Sequence, residues 1–163
     1  MLIGSLELRH VFGRFTTGVT VVTSRIGEST HGITVNSFTS VSLDPPLVLI
    51  CIDRSARAHS FVPEAGAFAI NILSNKQRQV SDYFAQKNPS SRQDEVSEFP
   101  YSNGLTGAPI LDGIIAFVEC RLSQSYSAGD HTIFVAEVIN AQQVSDLQPL
   151  LFYRGSYPGL PES

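Results

Sequence analysis

The chain has 163 residues, of which 42% are hydrophobic and 16% charged, with a formal net charge of −4. This length suits one domain, residues 1–163, with a real hydrophobic core, and the composition excludes a disordered chain. The acidic excess argues against a nucleic-acid binder, and no apolar run approaches the roughly 18 residues that cross a membrane.

The N-terminus mixes Glu7, Arg9 and His10 with apolar residues, unlike a secretory signal. Leu8, Val11, Phe12 and Phe15 recur at helical spacing, which predicts an amphipathic helix near Ser5–Phe15 that ends by Gly18. Val19 to Ser24 reads as a strand and Gly27 as a turn. Thr30 to Leu43 reads as extended, but Ser37 and Thr39 interrupt the apolar parity of Ile33, Val35, Val41 and Leu43. A bend, bulge or barrel corner is expected there. After Asp44-Pro45-Pro46 the run Leu47 to Ile52 is apolar on both faces, as in a central strand.

Ser55 is placed to cap a short helix carrying Ala58, Phe61 and Val62, closed by Gly66. Ala67 to Leu73 alternates large and small residues, a taper that suits the inside of a small barrel. Asn75 to Gln86 reads as a second helix with Val80, Tyr83 and Phe84 inward. Residues 87–108 are rich in Pro, Gly, Asn and Ser and read as a surface excursion, a candidate lid. Ile114 to Tyr126 is a long strand, Ser127-Ala128-Gly129-Asp130 a hairpin turn, and His131 to Ala141 the return. Ile115 and Phe117 on its second face suit either a partner chain or an internal helix. Leu150 to Tyr153 is the last strand. Short strands joined by turns, without βαβ alternation, predict a mainly β, antiparallel barrel or sandwich with a few short helices. No G-x-G-x-x-G or Walker sequence is present.

Chemistry concentrates in four places. The segment from Thr34 to Ser42 packs Thr34, Asn36, Ser37, Thr39, Ser40 and Ser42 together, more hydrogen-bonding side chains than a core hairpin needs. Asp53-Arg54-Ser55-Ala56-Arg57 joins a strand end to a helix start, where free N–H groups, a hydroxyl and a guanidinium favour a phosphate; a capped helix with a solvated arginine is the plainer reading. Taken together, the two ends of this hairpin suit a polar, phosphate-bearing ring. His131, at a hairpin mouth, is a candidate proton relay or hydrogen-bond donor over such a ring, or a turn residue without a role. On a regular strand Asp130 would point to the opposite face, so no Asp130–His131 dyad is expected. Tyr153-Arg154 offers a clamp for a second aromatic, anionic ligand. The cysteines, Cys51 and Cys120, lie in apolar runs and fit buried, reduced thiols of a cytoplasmic protein. The four histidines lack ligand spacing, so no metal is expected.

The motifs FGRFTTGVTVVTS (12–24), HGITVNSFTSVSLDPPLVLICIDRSARAH (31–59), FAINILS (68–74), LDGIIAFVECRL (111–122), AGDHTIFVAEV (128–138) and LLFYRGSY (150–157) follow one another in an order similar to the flavin reductase-like family. That resemblance implies an antiparallel FMN-binding split barrel of Greek-key type, usually a homodimer with flavin near the interface. It implies reduction of FMN or FAD by NADH or NADPH, with hydride passing to flavin N5, and a separate oxygenase component as partner. A flavin carrier of the same fold, without nicotinamide turnover, is the alternative. By the resemblance, flavin contacts come from Thr34, Val35, Asn36, Ser37, Thr39 and Ser40, from Cys51, Ile52 and Asp53, and from Phe84 and Ala85. Ser55 and Arg57 meet the phosphate. His131, the catalytic candidate, lies with Tyr153 and Arg154 on the nicotinamide side. The chain ends soon after Tyr157, which leaves no further domain expected to hold an oxygenase.

Overall fold

β-strands dominate the computed structural model of the chain, which describes residues 3–86 and 96–161. Seven strands form one antiparallel sheet: β2 (Thr20–Ile26), β3 (Ser29–Val35), β4 (Phe38–Leu43), β5 (Pro46–Asp53), β6 (Ala67–Ile72), β9 (Ala116–Ala128) and β10 (His131–Gln143). Their spatial order is β3-β2-β6-β9-β10-β5-β4. Two small pairs flank it, β1 (Thr17–Gly18) with β11 (Leu151–Phe152), and β7 (Tyr101–Asn103) with β8 (Pro109–Leu111).

The sheet separates two apolar clusters. Successive residues of a strand point to opposite faces. Val21 therefore joins Ala69, Leu73, Val80 and Ile114 on one face, while Val22 joins Phe68, Ile70, Val48 and Phe134 on the other. Helix α3 (Arg78–Phe84) and the β7–β8 hairpin cover the first face. Helix α2 (Ala58–Ala65) sends Ala58 and Val62 into the second, and Gly66 ends it with φ of 68°. Asn71 is fully buried, donates to Val21 O (3.1 Å) and accepts from Leu111 N (2.8 Å), so β8 is tied to the sheet without an orphaned amide.

The sheet curls on itself. β3 and β4 occupy opposite ends of the strand order, yet only Asn36 and Ser37 separate them in sequence. Three residue steps span at most about 11 Å, so the two ends of the sheet must approach each other there. Ser37 ties this connection to β5: its Oγ donates to Cys51 O (2.8 Å) and accepts from Cys51 N (3.1 Å). The hydroxyl thus supplies the pair of bonds that a neighbouring strand would have made. No ladder joins β3 to β4, so the sheet is not closed.

Several expectations change. Helix α1 (Ser5–Phe12) ends at Gly13, not Gly18, and none of its residues is buried; Val11 is 59% and Phe12 67% exposed. The stretch from Thr30 to Leu43 is two strands, broken where the parity fails. Leu47 to Ile52 belongs to the penultimate strand of the sheet, although neighbours flank it on both sides. Ser55 does not cap α2; Arg57 occupies the N-cap position, and Ser55 donates to Asp53 instead. Residues 96–108 are more than a surface excursion, because Val96 and Ala108 enter the core and Phe99 and Tyr101 pack against it. The rest of the candidate lid, 87–95, lies outside the described residues. Phe117 packs into the first cluster within the chain and is not left for a partner. Among the described residues, no helix is long and apolar enough to cross a membrane.

Candidate active site

A cavity of about 690 Å³ opens where the two ends of the sheet meet. Its floor comes from the end of β3 and the following Asn36-Ser37, and from Cys51, Ile52 and Asp53 at the end of β5. The β5–α2 connection adds Ser55, Ala56 and Arg57, α3 adds Phe84 and Ala85 at its end, and the β9–β10 turn adds Asp130 and His131. Strand pairing sets these positions: His131 lies opposite Asp53 in the β10–β5 register, and Arg54 N donates to Asp130 O at 2.9 Å.

Much of the polar density in this wall is already engaged. Thr34 Oγ1 donates to Ser81 O of α3 (2.7 Å), Ser37 is bound to Cys51, and Asn36 Nδ2 donates to Thr17 Oγ1 (3.2 Å). Asp53 Oδ1 accepts from both Ser55 N (2.9 Å) and Ser55 Oγ (2.8 Å), which folds the β5–α2 connection back on the strand end. The Arg57 guanidinium lies 5.3 Å from the Phe61 ring centre, and Phe61 stacks on His31 at 3.6 Å. This cation–π contact positions a positive charge at the cavity wall. Gly32 matters by its lack of a side chain: a Cβ there would sit 2.6 Å from the Phe84 ring.

Two groups with shifted titration, Cys51 and Asp130, line the cavity. Burial pushes the Cys51 thiol up, which favours the protonated thiol. Cys120, within the core, is pushed up to about 12 by burial and by the charge of Glu119. At the turn, His131 Nδ1 lies 2.8 Å from Asp130 Oδ1, and the hydrogen bond and charge of His131 hold Asp130 below the usual carboxylate range. This corrects the expectation that the two side chains diverge. Asp130 belongs to the Gly129-Asp130 turn, where Gly129 adopts φ of 63°, and strand alternation does not govern its direction. The bond fixes Nδ1 as the protonated nitrogen and leaves Nε2 for a ligand.

Of the residues anticipated from sequence, the cavity collects Thr34, Val35, Asn36, Ser37, Cys51, Ile52, Asp53, Ser55, Arg57, Phe84, Ala85 and His131. Thr39 and Ser40 are exposed on the terminal strand β4 and do not line it. Arg154 lines an adjoining cavity of about 720 Å³ that shares Arg9, Phe12 and Asn36 with the first. Tyr153 lines neither; its ring centre lies 6.0 Å from the Arg154 guanidinium carbon. Sequence reasoning missed Ser5, Leu8, Arg9 and Phe12 of α1, which also line the first cavity. Their spacing of three, four and seven marks one helix face and was the available signal.

The first cavity has the size of pockets that hold small cofactors, roughly 300–1,000 Å³. Backbone groups at 34–37 and 51–53 suit the polar edge of a flat ring, Val35, Ile52 and Phe84 its faces, and Ser55 with Arg57 a phosphate.

A family model described as "Flavin reductase like domain" matches residues 12–161. An NADH-dependent FAD reductase of Streptomyces globisporus is 40% identical over 153 residues, covering 93% of this chain and 84% of that protein. The reductase subunit HsaB of a flavin-dependent monooxygenase from Mycobacterium tuberculosis is 34% identical over 154 residues, covering 93% of this chain and 80% of that one. The solved structure of Streptomyces globisporus NADH:FAD oxidoreductase SgcE6 in complex with NAD and FAD fragments superposes with a TM-score of 0.89 at 38% identity, covering 99% of this chain and 97% of that one.

Proposed function

The chain belongs to the flavin reductase-like domain family, and from that premise we propose that it catalyses the reduction of a flavin, FMN or FAD, by NADH. The observation that carries this reading is the single cavity on which the Cys51–Asp53 strand end, the Ser55–Arg57 connection and His131 converge. The match over residues 12–161 supports treating the chain as one domain, and the near approach of β3 and β4 at Ser37 supports a split barrel.

When bound, the flavin supplies the redox chemistry, taking up hydride from the nicotinamide. The protein's part is placement. The bonds of Thr34 to Ser81 and of Ser37 to Cys51 fix the shape of the wall made by Thr34, Val35, Asn36 and Ser37 with Cys51, Ile52 and Asp53, which would hold the ring edge, while Phe84 and Ala85 would close one side. Ser55 and Arg57 hold the phosphate by charge-assisted hydrogen bonds. His131, oriented by Asp130, holds a hydrogen bond at Nε2 toward the reacting edge and keeps the nicotinamide within reach. No protein nucleophile is needed, consistent with burial that favours the protonated Cys51 thiol.

The exposed apolar residues of α1 (Leu6, Val11, Phe12) and of β4 (Val41, Leu43) support a homodimer. Thr39 and Ser40, on the same strand as Val41 and Leu43, would then approach the partner subunit's cavity. Reduced flavin leaves for a separate monooxygenase component, a reading supported by the HsaB relative, a reductase subunit of a flavin-dependent monooxygenase, and the chain acts in the cytoplasm. Purified protein titrated with FMN, FAD and riboflavin, then given NADH or NADPH, tests the proposal. Flavin-dependent oxidation of NADH supports it, and its absence with every flavin refutes it.

A further inference from the structure

His59 does not line the flavin cavity, yet its side chain ties two parts of the site together. It lies in the first turn of α2, directly after Ala56, Arg57 and Ala58 of the cavity wall. His59 Nε2 stands 2.7 Å from Thr132 Oγ1 of β10, a part-buried hydrogen bond between residues 73 apart in sequence. Thr132 is buried, and the His59 ring tilts against Phe134 of the same strand, with ring centres 5.7 Å apart.

The start of α2 depends on such a tie. Arg57 occupies the N-cap position without a side-chain cap bond, and both Ser55 and Arg57 are exposed. Other bonds in this stretch stay local: Ser55 Oγ to Asp53, Ala56 N to Asp53 O (2.9 Å) and Ser60 Oγ to Arg57 O (3.0 Å). The His59–Thr132 bond instead reaches across to the sheet. Successive strand residues face opposite ways, so β10 presents His131 to the cavity and Thr132 to α2. One strand thereby sets both the ring side of the site and the connection that carries Ser55 and Arg57.

We propose that His59 is a positioning residue for the flavin phosphate: through Thr132 it fixes the β5–α2 connection at the height where Ser55 and Arg57 meet that group. The inference rests on reading the cavity as the flavin site. Charge-assisted bonds to phosphate depend on the geometry of the guanidinium fork and the hydroxyl. A connection released from β10 misaligns both donors. The ring contacts at 34–37 and 51–53 lie on other elements and keep their places. Loss of His59 therefore falls on the phosphate and spares the ring.

The test measures binding of FMN and of riboflavin, which lacks the phosphate, by flavin fluorescence. It compares wild type, His59→Ala, Thr132→Val, the two together, and His59→Gln. Wild type should prefer FMN. His59→Ala and Thr132→Val should each lower the FMN-to-riboflavin affinity ratio about fivefold, the scale of one hydrogen bond, with riboflavin affinity held within about twofold. The double variant should lose no more than either single one, since each removes the same interaction. Valine keeps the branched shape that suits a strand, so Thr132→Val decides the matter if His59→Ala does not fold. His59→Gln keeps a side-chain amide donor and should retain most of the ratio. Unchanged ratios, equal weakening of both flavins, or additive losses in the double variant overturn the proposal. So does a loss in His59→Gln as large as in His59→Ala, which assigns the effect to packing on Phe134. Wild type that binds neither flavin overturns the flavin reading itself. Wild type that binds both without preference leaves a flavin site and overturns the phosphate role.

Discussion

His131 Nδ1 and Asp130 Oδ1 stand 2.8 Å apart across one peptide, at the tip of the β9–β10 hairpin and on the wall of the candidate flavin cavity. The pair orients the imidazole and leaves Nε2 toward the cavity ligands. His131→Ala should therefore slow flavin reduction by about tenfold or more while flavin affinity changes less than about threefold, since a positioned hydrogen bond acts mainly in the reacting complex. Single-turnover rates set beside flavin binding titrations check this. An equal loss in both would remove His131 from the reaction.

The same pair sets a pH response. Asp130 is held below the usual carboxylate range by the hydrogen bond and charge of His131. Its folded value is depressed, so the carboxylate stays ionised through the ordinary aspartate range and is lost only as pH falls through the lowered value. Asp130→Asn should remove that acid limb from the rate profile, measured as single-turnover rate against pH.

Ser37 substitutes for a strand at the place where the sheet ends meet. Ser37→Ala removes both bonds to Cys51, a loss of about 2 kcal/mol, or roughly 4–8 °C in Tm for a chain of this size. Thermal unfolding should show this, with flavin affinity falling as well because Cys51 lines the cavity. An unchanged Tm would mean that the junction is held elsewhere.

Gly32 tests the packing behind the site. Its missing Cβ lets the Phe84 ring seat against β3. Gly32→Ala must displace Phe84, at a cost of about 1–3 kcal/mol from overpacking. Phe84 lines the cavity, so flavin binding should weaken too. Unfolding curves and titration report the two effects separately.

Glu119 lies outside the site but carries a distinct pH signature. It is fully buried and accepts from Thr106 N (2.9 Å), Thr106 Oγ1 (2.9 Å) and Asn140 Nδ2 (2.8 Å). Burial pushes its carboxyl up, but these hydrogen bonds outweigh burial and leave it below its ordinary value. Its stabilising share is complete above the ordinary glutamate range and fades as pH falls through the depressed value. Glu119→Gln should lower Tm at neutral pH and flatten that acid slope, as read from Tm against pH.

The site was legible in sequence where it lies on one local stretch. Cys51 to Arg57 and the Gly129-Asp130-His131 turn announce themselves by composition, and Gly66 and Gly129 mark ends that only a left-handed residue makes easily. The density of hydroxyls misled in part. Thr34 and Ser37 are consumed by bonds to Ser81 and Cys51, partners 47 and 14 residues away that no local pattern reveals. Helix α1 was legible as a helix, but its environment was not, because periodicity gives a face and not what covers it. Residues 96–108 looked like a loop because turn residues dominate them, whereas Val96 and Ala108 are buried by long-range packing and Phe99 and Tyr101 pack against the same cluster.

The most direct test of the central claim is anaerobic stopped-flow mixing of the FMN-loaded protein with NADH, followed at the flavin absorbance. The account predicts bleaching of that absorbance at a rate that saturates with NADH and far exceeds that of free FMN. Protein that binds FMN yet leaves its absorbance unchanged with both NADH and NADPH would be a flavin carrier, and the account would be wrong.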